Sequence, residues 1–276
     1  MKISVIIPTY DRKHTLERAI ESVLSQTLKA AEIIVVDDGS SDGTEDWLKN
    51  RYPAITVLSQ SNMGVSGARN AGIQFAREEW VAFLDSDDEW FFDKLEKQSS
   101  ALEKNPEILF CHTSEIWIRN GVRVNQMKKH KKYGGMIFNN ILDMCRVSPS
   151  SVLLNKSILE HVGCFNEELK VCEDYDLWLR IASKYPILFL ELPLLNKFGG
   201  HRGQLSKVAD GIEKYRIQSL ESILSSTPLS KSQFEMARNM LLYKLNIYGK
   251  GLKNRNKKEA FLLVQKKIQS WTSIIN

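Results

Sequence analysis

The chain of 276 residues is 43% hydrophobic and 26% charged, with a formal net charge of +5. That balance describes an ordinary soluble globular protein able to bury a core in one large domain, or in one domain with an appendage. No apolar run approaches the roughly 20 residues of a membrane-spanning helix, and the opening MKISVIIP enters a strand at once rather than a signal peptide's longer apolar region, so a cytoplasmic protein is expected. The charge is uneven: residues 216–276 hold 11 Lys/Arg against 3 acids and residues 1–215 hold 27 against 30, which places the positive excess in the tail. Cys111, Cys145, Cys164 and Cys172 show neither CxxC pairing nor metal-ligand spacing, a pattern of free thiols rather than of disulfides or a zinc site.

Ile3 to Ile7 read as a first strand, and Leu16, Ala19, Ile20, Val23 and Leu24 then recur at helical spacing through Gln26. Ile33 to Val36 give a second strand. Asp42, with Glu45 three residues on, has the form of a capping box for a helix through Asn50, and Ile55 to Leu58 give a third strand. A helix from Ser66 to Arg77 and a strand from Trp80 to Leu84 follow. Strands alternating with helices in this way predict an α/β fold with a doubly wound, mostly parallel sheet.

Acidic residues close two of these strands. Asp37-Asp38 follows Ile33 to Val36, and Asp85 and Asp87 follow Trp80 to Leu84 in FLDSDD; Asp174 comes later, in CEDYDLWLR. At the carboxyl ends of parallel strands, side chains leave the core and converge on a crevice, so repeated carboxylates there point to a metal and a nucleotide. The first strand-to-helix turn is Pro8-Thr9-Tyr10-Asp11, without the GxGxxG of dehydrogenase-type NAD or FAD binding, and the chain has no P-loop. A nucleotide bound here is held by side chains and metal rather than by a glycine cradle.

Six segments taken together resemble the family 2 glycosyltransferases, inverting enzymes of the GT-A fold: VIIPTYDR (5–12), VVDDGSSDGT (35–44), NMGVSGARNAG (62–72), FLDSDDEW (83–90), VGCFNEELKVCEDYDLWLRIA (162–182) and HRGQLS (201–206). The resemblance covers about residues 1–210, in the family's order and spacing. It implies a GT-A, Rossmann-like central sheet, mostly parallel and flanked by helices, with a C-terminal helical appendage. The expected division is a GT-A domain over 1–215, with a nucleotide-sugar-binding half (1–105) and an acceptor half (106–215), then a basic helical extension over 216–276.

The resemblance also implies roles. Pro8, Thr9 and Tyr10 of the first turn and Asp38 meet the nucleotide, a task chemically open to a stacking phenol and to a carboxylate that accepts an imino N–H. The plainer alternative is that Tyr10 packs and Asp38 caps the next turn. Gly64 and Arg69 belong to a glycine-punctuated loop entering a helix, where unusual backbone angles and a helix N-terminus favour an anion; the plainer reading of Arg69 is an ion pair with Asp37 or Asp85. Asp85, with Ser86, faces the ribose or the metal, and Asp87 coordinates a divalent cation bridging the diphosphate. Oxygen-only ligands suit Mg2+ or Mn2+ rather than zinc. Asp88 and Glu89 read as helix-start acids. Asp174 is implied as the general base that takes the acceptor hydroxyl's proton, against the plainer reading of a helix cap. His201 is implied as a further metal-side residue, against the structural role that a lone histidine usually has.

The resulting expectation is an inverting, metal-dependent glycosyltransferase. It moves a sugar from a nucleoside diphosphate sugar, UDP-sugars being the family's commonest donors, to a hydroxyl of a saccharide or lipid-linked acceptor in surface polysaccharide or lipopolysaccharide synthesis. No nucleic-acid partner is implied. The QxxRW element of the polymer-making members is absent, since Leu177-Trp178-Leu179-Arg180 belongs to the ED helix, so single-sugar transfer is expected. Two readings compete. A non-catalytic nucleotide-sugar-binding scaffold would be expected to have lost Asp87 or Asp174, and a nucleotidyltransferase would need a triphosphate loop that Pro8 to Arg12 does not supply.

Ser148 to Ser151 are placed on the acceptor side without individual roles, and Lys128 to Lys132 are expected in a solvated, mobile loop. In the tail, Phe261, Val264, Ile268, Trp271 and Ile275 form a stripe at helical spacing among Lys257, Lys258, Lys266 and Lys267. Docking on the domain is its leading use; peripheral contact through 250–276 with the inner face of the cell membrane is the other.

Overall fold

The structure, a computed structural model, describes residues 1–200 and 211–274. In β1 (Ile3–Thr9) successive side chains point to opposite faces, and all of them are buried because helices cover both sides. Val5 and Ile7 meet Leu16, Ala19 and Ile20 of α1 (Lys13–Leu24) on one face. Ile6 goes to the other face. There it joins Ile34 and Val36 of β2 (Glu32–Asp37), which leads through α2 (Thr44–Arg51) and β3 (Thr56–Ser59) to Ala68 and Ile73 of α3 (Gly64–Phe75). β2 runs parallel to β1, β3 parallel to β2, and β4 (Trp80–Phe83) parallel to β1 on its other side. The chain therefore reverses direction across the sheet between β3 and β4, which opens a crevice beyond the carboxyl ends of β1, β2 and β4.

The second half turns the sheet mixed. In chain order come β5 (Glu89–Trp90), α4 (Lys94–Glu103), β6 (Phe110–Arg119), β7 (Val122–Val124), α5 (Phe138–Ile141), β8 (Leu153–Asn155), α6 (Ser157–Val162), α7 (Glu173–Ala182) and β9 (Leu188–Gly199). Among the described residues the sheet order is β3-β2-β1-β4-β8-β6-β9-β5, with β7 paired on β6. β8 lies antiparallel between β4 and β6, and β9 is parallel to β6.

Several local expectations are corrected. α2 is not entered through a capping box: Gly43 holds the cap position at φ +76°, and Asp42 instead accepts from the backbone N–H of Thr44 at 3.1 Å and of Lys13 at 3.2 Å. A turn that needs left-handed backbone takes a glycine, and the acid beside it serves the turn. Helix α3 begins at Gly64 rather than Ser66. Asp88 and Glu89 open no helix; Glu89 lies in β5, and α4 starts only at Lys94. Lys132 is not solvated: it is buried and pairs with Glu115 at 3.2 Å, since a buried cation persists only with a partner.

Gly72 of α3 lies against β1, where a Cβ would sit 2.4 Å from Ile6 Cγ2. Gly72→Ala is expected to lower stability by about 1–3 kcal/mol through overpacking, more than the roughly 1 kcal/mol that helix propensity returns. Urea denaturation measures the change, and an unaltered midpoint would show that α3 moves off β1 without cost.

The tail forms α8 (Glu213–Ser226), α9 (Lys231–Asn254) and α10 (Lys258–Ser273). Ile217, Leu220 and Ile223 of α8 and Ala237, Leu241 and Leu245 of α9 share one hydrophobic cluster with Tyr175, Trp178 and Ile181 of α7. Position 215 falls inside α8, so this helix continues the core of the preceding residues. Of the α10 stripe, Val264 is buried and Phe261, Ile268 and Trp271 pack half-buried on that cluster; Ile275 lies outside the described residues. No described helix is long and apolar enough to cross a membrane.

Candidate active site

The crevice is a cleft of about 710 Å3, within the range of pockets that enclose a small-molecule ligand. Pro8, Thr9, Tyr10, Asp38, Gly64, Arg69, Asp85, Ser86, Asp87 and Asp174 all line it. Every expected site residue in the described chain is thus brought to one wall or another of the same cleft. His201 lies outside the described residues.

At the carboxyl end of β2, Asp38 is committed to the neighbouring loop. Its Oδ1 accepts from Gln60 Nε2 at 2.7 Å and from the N–H of Met63 at 2.9 Å, and its Oδ2 accepts from the N–H of Gly64 at 2.8 Å. These bonds fix the approach to α3, which Gly64 enters at φ +80°. Tyr10 stands at the mouth with 48% of its surface exposed, so its ring is open to stacking.

Arg69 is the tie across the cleft floor. Its side chain is 3% exposed, donates to Asp85 Oδ1 at 2.7 Å and to Glu173 Oε1 at 2.6 Å, and lies over the Phe165 ring. Of the partners expected for it, Asp85 is present; Glu173 takes the place that Asp37 would have had. Burial opposes the charge on Arg69, yet the two carboxylates outweigh it and hold the guanidinium protonated.

Burial, reinforced by Asp174, pushes the Glu173 carboxyl up to about 7 against the pull of Arg69. With the native value above the ordinary 4.5, the folded chain binds the extra proton between those values. Stability relative to Glu173→Gln is therefore expected to rise as pH falls from about 7 towards 4.5. Thermal melts of both proteins across that window check the sign.

The acids of FLDSDD divide. Asp88 is buried: its Oδ2 accepts from Ser150 Oγ at 2.6 Å and its Oδ1 from the N–H of Phe198 at 2.9 Å. Ser150 Oγ in turn accepts from the N–H of Asp85 at 3.1 Å. Asp88 therefore anchors the acidic loop to the 149–151 turn and to β9. Burial pushes its carboxyl well above the ordinary range, with Asp87 and Asp85 adding to the effect and Lys197 opposing it.

Asp85 and Asp87 keep 26% and 22% of their side-chain surface exposed, and Asp87 Oδ2 meets Arg12 Nη1 at 3.2 Å. Two hard carboxylates facing a cleft suit Mg2+ or Mn2+ when diphosphate oxygens and water complete the coordination. Among the described residues no group of three or more His, Cys, Asp and Glu could hold a metal by itself.

Asp174 is not the cap of α7. Cys172, at φ +66°, holds that position, and Asp174 sits in the first turn on the cleft wall. Its Oδ1 accepts from the N–H of Tyr175 at 2.7 Å, and Oδ2 lies 3.4 Å from the Cys145 thiol. Asp176, two residues on, is spent in a buried ion pair with Arg180 at 2.7 Å. The cleft also holds cations that the sequence did not single out. Lys197 of β9 is half-buried and donates to Ser148 Oγ at 2.8 Å, while Glu115, Asp88, Asp85 and Asp174 outweigh desolvation and keep it charged. Arg216 reaches the cleft from α8. Neither belongs to a spacing that could have flagged it.

The fold defines the class first. A TarS structure from S. aureus in complex with UDP-GlcNAc superposes with a TM-score of 0.69 at 21% identity, over 89% of this chain and 72% of that one. A mannosyltransferase from Pyrobaculum calidifontis in complex with GDP-Man and Mn2+ superposes with a TM-score of 0.63 at 17% identity, over 99% and 83%. The fold is GT-A. The model of the family described as glycosyl transferase family 2 matches residues 4–163, and the chain belongs to that family.

Among relatives, the Escherichia coli UDP-Glc:alpha-D-GlcNAc-diphosphoundecaprenol beta-1,3-glucosyltransferase WfgD is 34% identical over 185 residues, 66% of this chain and 70% of that protein. An uncharacterized glycosyltransferase from Rickettsia felis is 35% identical over 209 residues, 75% of this chain and 33% of that protein. The chain thus spans about a third of the length of that relative.

Proposed function

We propose that the chain is an inverting, metal-dependent glycosyltransferase that moves one sugar at a time from a nucleoside diphosphate sugar, UDP-linked in the first instance, to an acceptor hydroxyl. The observation that carries this reading is the meeting of Asp85 and Asp87 with Asp174 in one cleft, where Arg69 ties Asp85 to Glu173, the residue before Asp174. Tyr10 and the loop fixed by Asp38 receive the nucleotide. Asp85 and Asp87 would hold Mg2+ or Mn2+, whose contribution is to neutralise charge on the leaving diphosphate. Asp174 takes the proton from the acceptor hydroxyl; the hydroxyl oxygen bonds to the anomeric carbon as the bond to the diphosphate breaks, and the nucleoside diphosphate leaves with the electron pair. Attack opposite the leaving group inverts the anomeric centre, and one base suffices for it.

The WfgD relative, named for a diphosphoundecaprenol-linked acceptor, supports a saccharide on a lipid carrier as acceptor, in surface polysaccharide or lipopolysaccharide synthesis. Such an acceptor supports a location at the inner face of the cell membrane, which we propose is reached through the basic stretch 250–276. The test is incubation with UDP-, GDP- and dTDP-sugars, Mn2+ and an alkyl glycoside acceptor, with products read by mass spectrometry. One added hexose from one donor class is the expected result. Nucleotide binding without turnover on any donor or acceptor would favour the scaffold reading.

A further inference from the structure

Arg216 occupies an unusual electrostatic position. It lies on α8, beyond the strands and loops that build the nucleotide side, yet it lines the same cleft as Asp174. Its charge acts on Cys172 and Tyr175, which flank Glu173-Asp174 in sequence, so it stands on the α7 side of the cleft. Its acidic partner is shared: Arg216 Nη1 meets Glu213 Oε2 at 3.2 Å, while Glu213 Oε1 is taken by Lys244 Nζ at 2.5 Å. Lys244 is itself buried and also donates to the backbone oxygen of Asp143 at 2.7 Å. Two cations thus divide one carboxylate, and Arg216 faces a cleft wall that it shares with Glu173 and Asp174. Arg216 Nε is buried without a hydrogen-bond partner among the described residues, and the side chain is 18% exposed. A guanidinium has five N–H donors in a planar fork that matches phosphate oxygens.

We infer that Arg216 is an acceptor-specificity residue: it receives a phosphate carried by the acceptor, next to the hydroxyl that Asp174 deprotonates. This rests on the transferase reading above and adds to it the chemistry of the acceptor and the residue that reads it. The donor diphosphate is met by the strand-end acids and their cation, whereas Arg216 stands on the helix that packs against α7. The acceptor is therefore a sugar phosphate or diphosphate, whether free or attached to a lipid.

The test is calorimetric titration of the full chain, without donor, with N-acetylglucosamine 1-diphosphate bearing a short alkyl chain and with the corresponding alkyl glycoside lacking phosphate. The wild type is expected to bind the diphosphate probe about tenfold to a hundredfold more tightly, the contribution of one or two charge-assisted hydrogen bonds. Arg216→Gln is expected to erase that preference while binding the unphosphorylated probe as the wild type does, and Arg216→Lys to retain part of it, since charge survives and the fork does not. Equal affinity of the wild type for the two probes, no binding of either, or a preference that survives Arg216→Gln would overturn the inference. N-acetylglucosamine 1-phosphate, free of alkyl chain, distinguishes the sources: binding as tight as the diphosphate probe points to a soluble sugar phosphate, and weaker binding that still depends on Arg216 points to the lipid-linked form. Because no nucleotide is present, failure here is distinct from failure of the transferase reading, which a separate titration with UDP decides.

Discussion

Asp174→Asn is expected to lower the rate of sugar transfer by about a hundredfold to ten-thousandfold, the usual contribution of a general base. The amide matches the carboxylate in shape, and its oxygen can still accept from the Tyr175 N–H, so the start of α7 should hold its place. What is lost is the proposed proton acceptor on the cleft wall. Nucleotide affinity should stay near the wild-type value, because the nucleotide side is built from β1, β2, α3 and the loop after β4. A transfer rate within threefold of the wild type would remove Asp174 from the mechanism. The base would then have to be sought elsewhere on the cleft wall, with neighbouring Glu173 the first candidate.

Arg69→Met is expected to lower stability by about 3–5 kcal/mol, the range for removing one partner of a buried charge cluster. Asp85 and Glu173 would face each other without the cation that now lies 2.7 Å and 2.6 Å from them, and Met, although of similar length, offers no compensating donor. The loss should be smaller at low pH, because Glu173 then takes up a proton and the repulsion falls. Denaturant titrations at two pH values measure both effects. A loss below about 1 kcal/mol at neutral pH would mean that water replaces the guanidinium and that Arg69 does not tie the cleft together.

The nucleotide half was legible because each feature there is local. Apolar runs such as Ile33 to Val36 mark buried strands, and an acid directly after such a run can only emerge at the strand's end. This pattern alone puts Asp38, Asp85 and Asp87 at the crevice. The other half depends on long-range pairing. β8 spans only Leu153–Asn155, and β9 pairs with β6 through register shifts around Ser114; neither leaves a periodic trace. Within FLDSDD, the sequence sets Asp88 apart from Asp85 and Asp87 as a helix-start acid, a role that the structure does not give it. The packing of Ser150 and of the Phe198 backbone is what separates the structural Asp88 from Asp85 and Asp87.

Lys197 and Arg216 escaped for a related reason. A single basic residue in a strand or on a helix carries no signal until its neighbours are known. The tail was read correctly as helical, and its stripe as packing on the domain, because amphipathic spacing reports a buried face. Spacing says nothing about which element that face meets. That α8 would carry a cation into the cleft needed the three-dimensional arrangement.

The proposed site holds a nucleoside diphosphate through a divalent cation bound by Asp85 and Asp87. Calorimetric titration of UDP, GDP and dTDP into the protein, with and without Mn2+ and repeated on Asp87→Ala, tests it most directly. One nucleotide, UDP first, is expected to bind only with Mn2+, and Asp87→Ala is expected to abolish that binding. Absence of binding by all three in either metal condition, or equal binding by wild type and Asp87→Ala, would contradict it.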